Sequence, residues 1–339
     1  MILNNINLIY HEIQTNKLSI DVQGKTLQIS FMISIEISRK NLIVILGSTA
    51  TGKTRLAIQL ADELGGEIIS ADSRQVYRGM DIGTGKDLEE YELNGHSIPY
   101  HLIDIADPME EYNVAQFQKD FYRVSSEIKG RKKLPILCGG TGFYIKAVLM
   151  PFEFPVVGPN KNLRHKLENW MLEDLIQELE NISPGASENT PVDTKRRVIR
   201  AIEVEKDRGE GKRVRNKLKS KVQIPLVLGV EYPREVIRER ITKRLHERLE
   251  NGMIEEVEML LQNGVTHERL CSLGLEYRFI SQYIQGEITR EKMTTQLDTA
   301  IHRFAKKQMT FFRNIEKNGI KINWIPEGNF SLAINLIKG

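Results

Sequence analysis

The stretch Leu42-Ile-Val-Ile-Leu-Gly-Ser-Thr-Ala-Thr-Gly-Lys-Thr54 decides the fold. Its first five residues are a short, wholly apolar run rich in β-branched side chains. That is the pattern of a strand buried on both faces in a parallel sheet. Gly47–Thr54 matches G-x-x-x-x-G-K-[ST] in full, and Leu56, Ala57, Leu60, Ala61 and Leu64 follow at helical spacing. A glycine-bounded turn in this context wraps its backbone. Successive N–H groups, through Gly47, Thr49, Ala50, Thr51 and Gly52, then point inward at phosphate oxygens. The new helix adds its positive end. Lys53 supplies a point charge for the terminal phosphate, and the Thr54 hydroxyl a ligand for Mg²⁺. The motif predicts a held di- or triphosphate. It does not separate an ATPase or kinase from a transferase with a diphosphate leaving group.

Working outward, Glu67-Ile-Ile-Ser reads as a second strand, His101-Leu-Ile-Asp-Ile as a third, and Leu134-Pro-Ile-Leu-Cys as a fourth ending at Gly139-Gly-Thr-Gly142. Tyr112–Lys129 reads as a helix with Val114, Phe117, Phe121 and Val124 on one face. The alternation predicts an α/β fold over residues 41–150, a P-loop parallel sheet core with helices on both faces. Past Met150 the strands largely stop, and Pro151, Pro155 and Pro159 mark a linker. Leu163, Leu167, Trp170, Leu175 and Leu179 form a helical stripe, Asp193–Glu205 a charged helix, and Gly209–Lys221 a basic loop. Residues 151–222 thus read as a helical insert. Pro225–Val230 reads as a strand returning to the sheet, followed by helices at Arg234–Gln262, Leu275–Gln285 and Arg290–Lys317. Residues 223–325 are therefore expected to complete the core. Residues 1–40 read as an extension, with a hairpin around Gln23-Gly24 and Met32 as an alternative start.

Composition narrows the class. The chain has 339 residues, 40% apolar and 27% charged, which fits a globular protein. Two cysteines exclude a disulfide scaffold and an all-cysteine zinc site. No apolar run approaches the ~20 residues of a membrane span, and no secretory leader is visible. A cytoplasmic, non-membrane protein, expected to be a monomer, follows. The net charge of +3 conceals an asymmetry. Asp193–Lys221 holds 12 Lys/Arg against 5 Asp/Glu, and Arg303, Lys306, Lys307, Arg313, Lys317 and Lys321 face only Glu316. Such a field suits a polyanion, although charged helices are more often solvated faces.

Ser70-Ala-Asp-Ser-Arg-Gln-Val-Tyr77 bears on the reaction. Asp72 stands at the carboxyl end of the second strand, the edge where open α/β sheets bind ligands. It reads equally as a base beside the phosphates or as a cap. Asp104 would be the Mg²⁺-holding acid if the chain were a kinase or hydrolase.

Seven stretches in order resemble the tRNA dimethylallyltransferases, also called tRNA isopentenyltransferases. They are GSTATGKT (Gly47–Thr54), EIISADSRQVYRGMDIGTGK (Glu67–Lys86), HLIDIADP (His101–Pro108), PILCGGTGFYIKAVL (Pro135–Leu149), DTKRRVIRAIEV (Asp193–Val204), RITKRLHERLENGMIEEV (Arg240–Val257) and RFAKKQMTFFR (Arg303–Arg313). The resemblance implies a smaller, mostly helical RNA-binding region beside the P-loop core. It also implies a reaction: N6 of an adenine beside the anticodon of tRNA attacks C1 of dimethylallyl diphosphate, and diphosphate leaves. By the same resemblance Asp72 is the base and Thr141 helps place the amine. Lys53, Mg²⁺ at Thr54, Arg240 and, one turn on, Arg244 stabilise the leaving group. Ser73 and Gln75 lie near the adenine, and Arg196, Arg197, Lys306 and Arg313 contact the anticodon stem-loop.

Three features depart from the family pattern. The insert between Pro159 and Asp193 is short. GTGK at Gly83–Lys86 replaces GTAK, and Gly274-Leu-Glu-Tyr-Arg278 replaces a shorter Gly-Tyr-Arg. These bear more on the acceptor than on prenyl transfer. An adenylate isopentenyltransferase using free AMP, ADP or ATP, and an inactive P-loop nucleic-acid binder, stand as alternatives. The length beyond Leu149 and the basic excess favour RNA.

Overall fold

The computed structural model describes residues 41–150, 154–155, 157–209 and 225–338. They form two compact units, one built from the described residues up to 149 and from 225 onward, the other from those between 150 and 209.

In the first unit Leu42–Gly47 forms β1, buried at every residue. A six-stranded, all-parallel sheet surrounds it in the order β5-β2-β6-β1-β7-β8. The other strands are β2 (Gly66–Ser70), β5 (Tyr100–His101), β6 (Leu134–Gly139), β7 (Pro225–Glu231) and β8 (Asn323–Pro326). The two-residue β3 (Glu92–Leu93) and β4 (His96–Ser97) pair as a separate hairpin. Because helices cover both sides of the sheet, both faces of the apolar run of β1 are used. Ile43 and Ile45 join a core with α1 (Lys53–Leu64) and α13 (Phe330–Lys338). Leu42, Val44 and Leu46 join one with α2 (Val114–Gly130), α3 (Gly142–Leu149) and the end of α12 (Arg290–Lys317). The α/β sandwich expected from the sequence is the observed architecture.

A third apolar cluster packs α8 (Arg234–Glu250), α9 (Met253–Gln262), α10 (His267–Leu273), α11 (Leu275–Ile284) and the first half of α12 against Val76, Tyr77 and Met80. It seats the loop after β2 at the carboxyl edge of the sheet. Glu256 of α9 completes that seat. Its buried carboxylate accepts from the N–H groups of Asp81 (2.8 Å), Ile82 (2.6 Å) and Gly83 (3.0 Å), and from the Tyr277 hydroxyl (2.8 Å). Lys86, also buried, donates to Tyr77 O, Asp81 and Asp104.

Several expectations are corrected. The third strand ends at His101, because Leu102 (φ 63°) and Asp104 (φ 55°) turn the backbone away. The turn brings Asp104 N–H to Gln75 O and the Asp104 carboxylate to Lys86. Arg234–Gln262 is two helices, broken where Gly252 adopts φ 95°. β8, α10 and α13 were not foreseen, and the fold runs to Lys338 rather than stopping at 325. The hairpin around Gln23-Gly24 and the basic stretch after Gly209 lie outside the described residues.

The second unit contains α4 (Lys161–Leu167), α5 (Leu172–Ile182), α6 (Ala186–Asn189) and α7 (Lys195–Gly209). Leu167, Leu175 and Leu179 pack on Val198, Ile199 and Ile202. The expected single stripe is two helices, and Trp170, in the break between them, is exposed. Buried Glu203 ties this unit together by accepting from Arg164, Arg200 and the Asn160 N–H.

Glu256→Ala leaves three loop N–H groups without their acceptor in a closed site. We expect it to lower unfolding free energy by about 3–5 kcal/mol, read from urea denaturation, with little change in helical circular dichroism at 25 °C.

Candidate active site

Parallel strands bring the ends of β1, β2 and β6 to one edge, and a cavity of about 590 Å³ opens there. Thr49, Lys53 and Thr54 line it from the turn after β1; Asp72, Ser73 and Gln75 from the turn after β2; and Thr141 from the turn after β6. Arg244 and Arg248 of α8, Glu276 of α11, and Lys307 and Gln308 of α12 close it. Phe143, Leu275, Ile301, Phe304 and Phe311 give it an apolar side.

The turn after β1 has the shape its sequence demands. Ala50 (φ 63°) and Gly52 (φ 69°) take left-handed backbone, and Thr51 Oγ1 donates to Ser48 O at 2.8 Å. Gly47 is pinched, since a Cβ there would meet Val230 O at 3.0 Å. Gly52 is the N-cap of α1 and offers no side-chain cap. The leading N–H groups of the helix are therefore available to an anion. Burial holds the Lys53 ammonium below its usual range. The charge of Asp72 opposes that shift, while Arg244 and Arg248 add to it.

The second wall is stitched to the third. Gly139 must be glycine, because a Cβ there would overlap the backbone of Ala71. Thr141 N–H donates to Ala71 O (3.1 Å), and Thr141 Oγ1 accepts from Ser73 N–H (3.0 Å). Asp72 Oδ1 accepts from Arg74 N–H at 2.9 Å within a turn; no helix begins there, so Asp72 is not a helix cap, and it lines the cavity. Gln75 accepts from Ser70 Oγ (3.0 Å) and donates to Gly85 O (3.0 Å).

Some expected residues stand elsewhere. Arg240 is exposed, with its guanidinium 4.0 Å from the centre of the Tyr232 ring, and it does not line the cavity. The ladder Arg240, Arg244, Arg248 turns about 40° per step on a helix, and only the last two reach the site. Lys306 and Arg313 are exposed outside the lining, whereas neighbouring Lys307 belongs to it. Arg196 and Arg197 sit exposed on α7 in the other unit, Arg197 paired with Asp193 at 2.6 Å. Asp104, the acid a kinase would need, is bonded to Lys86 and is outside the cavity.

Gln308 was not foreseen. Its Oε1 accepts from Thr49 N–H (2.9 Å), and its Nε2 donates to Gly140 O (2.9 Å). One amide thereby locks the phosphate turn to the end of β6, and the Thr49 N–H, expected to point at phosphate, is bonded to it instead. The signal was present, since Gln308 occupies a core position in the helical series Ala305, Gln308, Phe312, Ile315. Arg248 and Glu276 were missed too. Burial lowers the Arg248 guanidinium to about 10 and raises the Glu276 carboxyl.

A phosphate turn, a carboxylate and clustered guanidinium groups on an α/β sheet define a P-loop enzyme of a phosphorylated substrate. The IPP transferase family profile matches residues 75–315, and that of isopentenyl transferases matches residues 40–103. The chain belongs to the IPP transferase family. It is 50% identical over 290 residues to tRNA dimethylallyltransferase 1 of Parabacteroides distasonis, covering 84% of this chain and 92% of that one. Identity to tRNA dimethylallyltransferase 2 of Shewanella sediminis is 48% over 285 residues, covering 84% and 93%. The full-length tRNA isopentenylpyrophosphate transferase of Bacillus halodurans superposes with a TM-score of 0.63 at 34% identity, covering 88% and 94%. A eukaryotic dimethylallyltransferase acting on tRNA superposes with a TM-score of 0.67 at 25% identity, covering 86% and 75%.

Burial also pushes the Cys138 thiol up to about 12, while Cys271 is exposed. Iodoacetamide at pH 8 should label Cys271 in the native protein and leave Cys138 unmodified until denaturant is added. Peptide mass spectrometry reads the difference.

Proposed function

We propose that this chain transfers the dimethylallyl group of dimethylallyl diphosphate to N6 of the adenine beside the anticodon in tRNA, in the cytoplasm. The observation that carries the reading is the meeting of Asp72 and Lys53 at one cavity that also has an apolar side. The relatives' names support tRNA as acceptor over a free nucleotide.

The chemistry asks for two opposite services at one place. The exocyclic amine of adenine is a weak nucleophile, its lone pair delocalised into the ring. As the N6–C1 bond forms, the C1–O bond breaks, and its electron pair leaves with diphosphate. The N6 proton must go to a base. Asp72 takes that role: Arg74 N–H holds Oδ1, leaving Oδ2 for the proton. Negative charge grows on the leaving group, where Lys53, the turn amides and Arg244 receive it. Ser73 and Thr141, already bonded to each other, are placed to orient the amine, with Gln75 beside them. The apolar side chains exclude water from the allylic carbon. The target adenine leaves its stack to reach Asp72, and the exposed cations Lys306 and Arg313 hold the stem-loop by its phosphates.

Mg²⁺ fits the donors present. Among the described residues no three His, Cys, Asp or Glu side chains cluster as a cage. A hydrated Mg²⁺ shared with diphosphate oxygens needs only one or two protein oxygens, and Thr54 and Asp72 line the same cavity. When bound, the ion would neutralise charge on the diphosphate, with Thr54 as its ligand.

With dimethylallyl diphosphate and Mg²⁺, an anticodon stem-loop carrying the adenine should be prenylated while AMP is not. Nucleoside mass spectrometry decides, and comparable modification of AMP would reverse the assignment of the acceptor. Asp72→Ala should cut turnover ~10²–10⁴-fold and spare stem-loop affinity. An equal collapse of affinity would mark Asp72 as structural.

A further inference from the structure

Among the described residues Arg248 is held more loosely than Arg244, its ion pair to Asp87 being long. Its side chain is 16% exposed, and its Nη2 is sealed from solvent with no hydrogen-bond acceptor among the described residues. The nearest carboxylate oxygen, Asp87 Oδ2, is 3.9 Å away and is already bonded by Arg244. Glu276 acts on Arg248 through its charge, but no hydrogen bond joins them among the described residues.

The guanidinium is seated against Gly85. A Cβ at that position would overlap Nη2 of both Arg248 and Arg244, and Gly85 has a left-handed φ of 61°. Gly85 and Glu276, 191 positions apart in the chain, line the same cavity as Arg248.

A buried cation with unmade hydrogen bonds is costly in the ligand-free protein. A guanidinium is also the group whose fork matches phosphate oxygens. Arg248 stands within charge range of Lys53 and Arg244 at the same cavity, and all three repel one another until an anion arrives. We propose that Arg248, seated by Gly85 and faced by Glu276, grips the diphosphate of the prenyl donor alongside Arg244, an assignment that rests on reading the cavity as a prenyl diphosphate site. Gly85 sets how deeply the guanidinium lies.

The test uses the full chain with inorganic pyrophosphate as probe, followed by titration calorimetry. Arg248→Met should weaken pyrophosphate binding about tenfold or more. It should leave anticodon stem-loop affinity unchanged and keep or raise the ligand-free Tm, because a largely buried charge with an unmade hydrogen bond has gone. Gly85→Ala should weaken pyrophosphate binding by itself yet add nothing to Arg248→Met. Unchanged pyrophosphate affinity in Arg248→Met, with binding abolished by Lys53→Ala, overturns the role of Arg248 and leaves the donor site intact. A fall in Tm together with loss of stem-loop binding would make Arg248 a packing residue and overturn it equally. Wild-type protein that binds no pyrophosphate, or that still binds it after Lys53→Ala, would instead remove the donor-site reading.

Discussion

Parallel alignment of β1, β6 and β2 is the constraint from which the site follows. Three strands running the same way deliver three turns to one edge, with neighbours only ~4.8 Å apart. The turn after β1 carries the amides and Lys53, the turn after β2 carries Asp72, and the turn after β6, between them, carries Thr141. Close approach is then demanded of the backbone. Gly139 has no room for a side chain against Ala71, and Gly47 little against Val230. The apolar faces of β1 are covered on both sides, so the strand ends cannot drift without opening two cores.

The edge is held by polar groups buried for that purpose. Gln308 joins the phosphate turn to Gly140, Glu256 gathers three successive amides of the loop after β2, and Lys86 fastens that loop to Asp104. Each is well satisfied, and a buried polar group that is well satisfied rigidifies its surroundings. The groups facing the cavity are of the opposite kind. Lys53 and Arg248 are cations depressed by burial, and Arg244 adds to the depression of each. Rigid support outside and unsatisfied charge inside is the arrangement expected of a site preorganised for an anion.

Much of the architecture could be read directly from the chain. The apolar run at Leu42–Leu46, the glycine-bounded turn and the helical spacing after it are local patterns, and they appear in the structure as β1, its turn and α1. Helix α12 was bounded correctly because Thr289 caps it and its apolar spacing runs unbroken. The third strand was overextended because two residues at positive φ interrupt an apolar run that reads as continuous.

The phosphate turn, the strand it leaves and the helix it opens were determined by adjacent residues, because hydrogen bonding and helical period act over a few positions. Tertiary structure alone decided which arginines of α8 face the cavity, that Gln308 rather than a charged neighbour touches the turn, and that Glu256 serves a loop 173 positions away. A helix displays every side chain in sequence at equal rank. Only the element packed against it selects the face that is buried, and that element comes from a distant part of the chain.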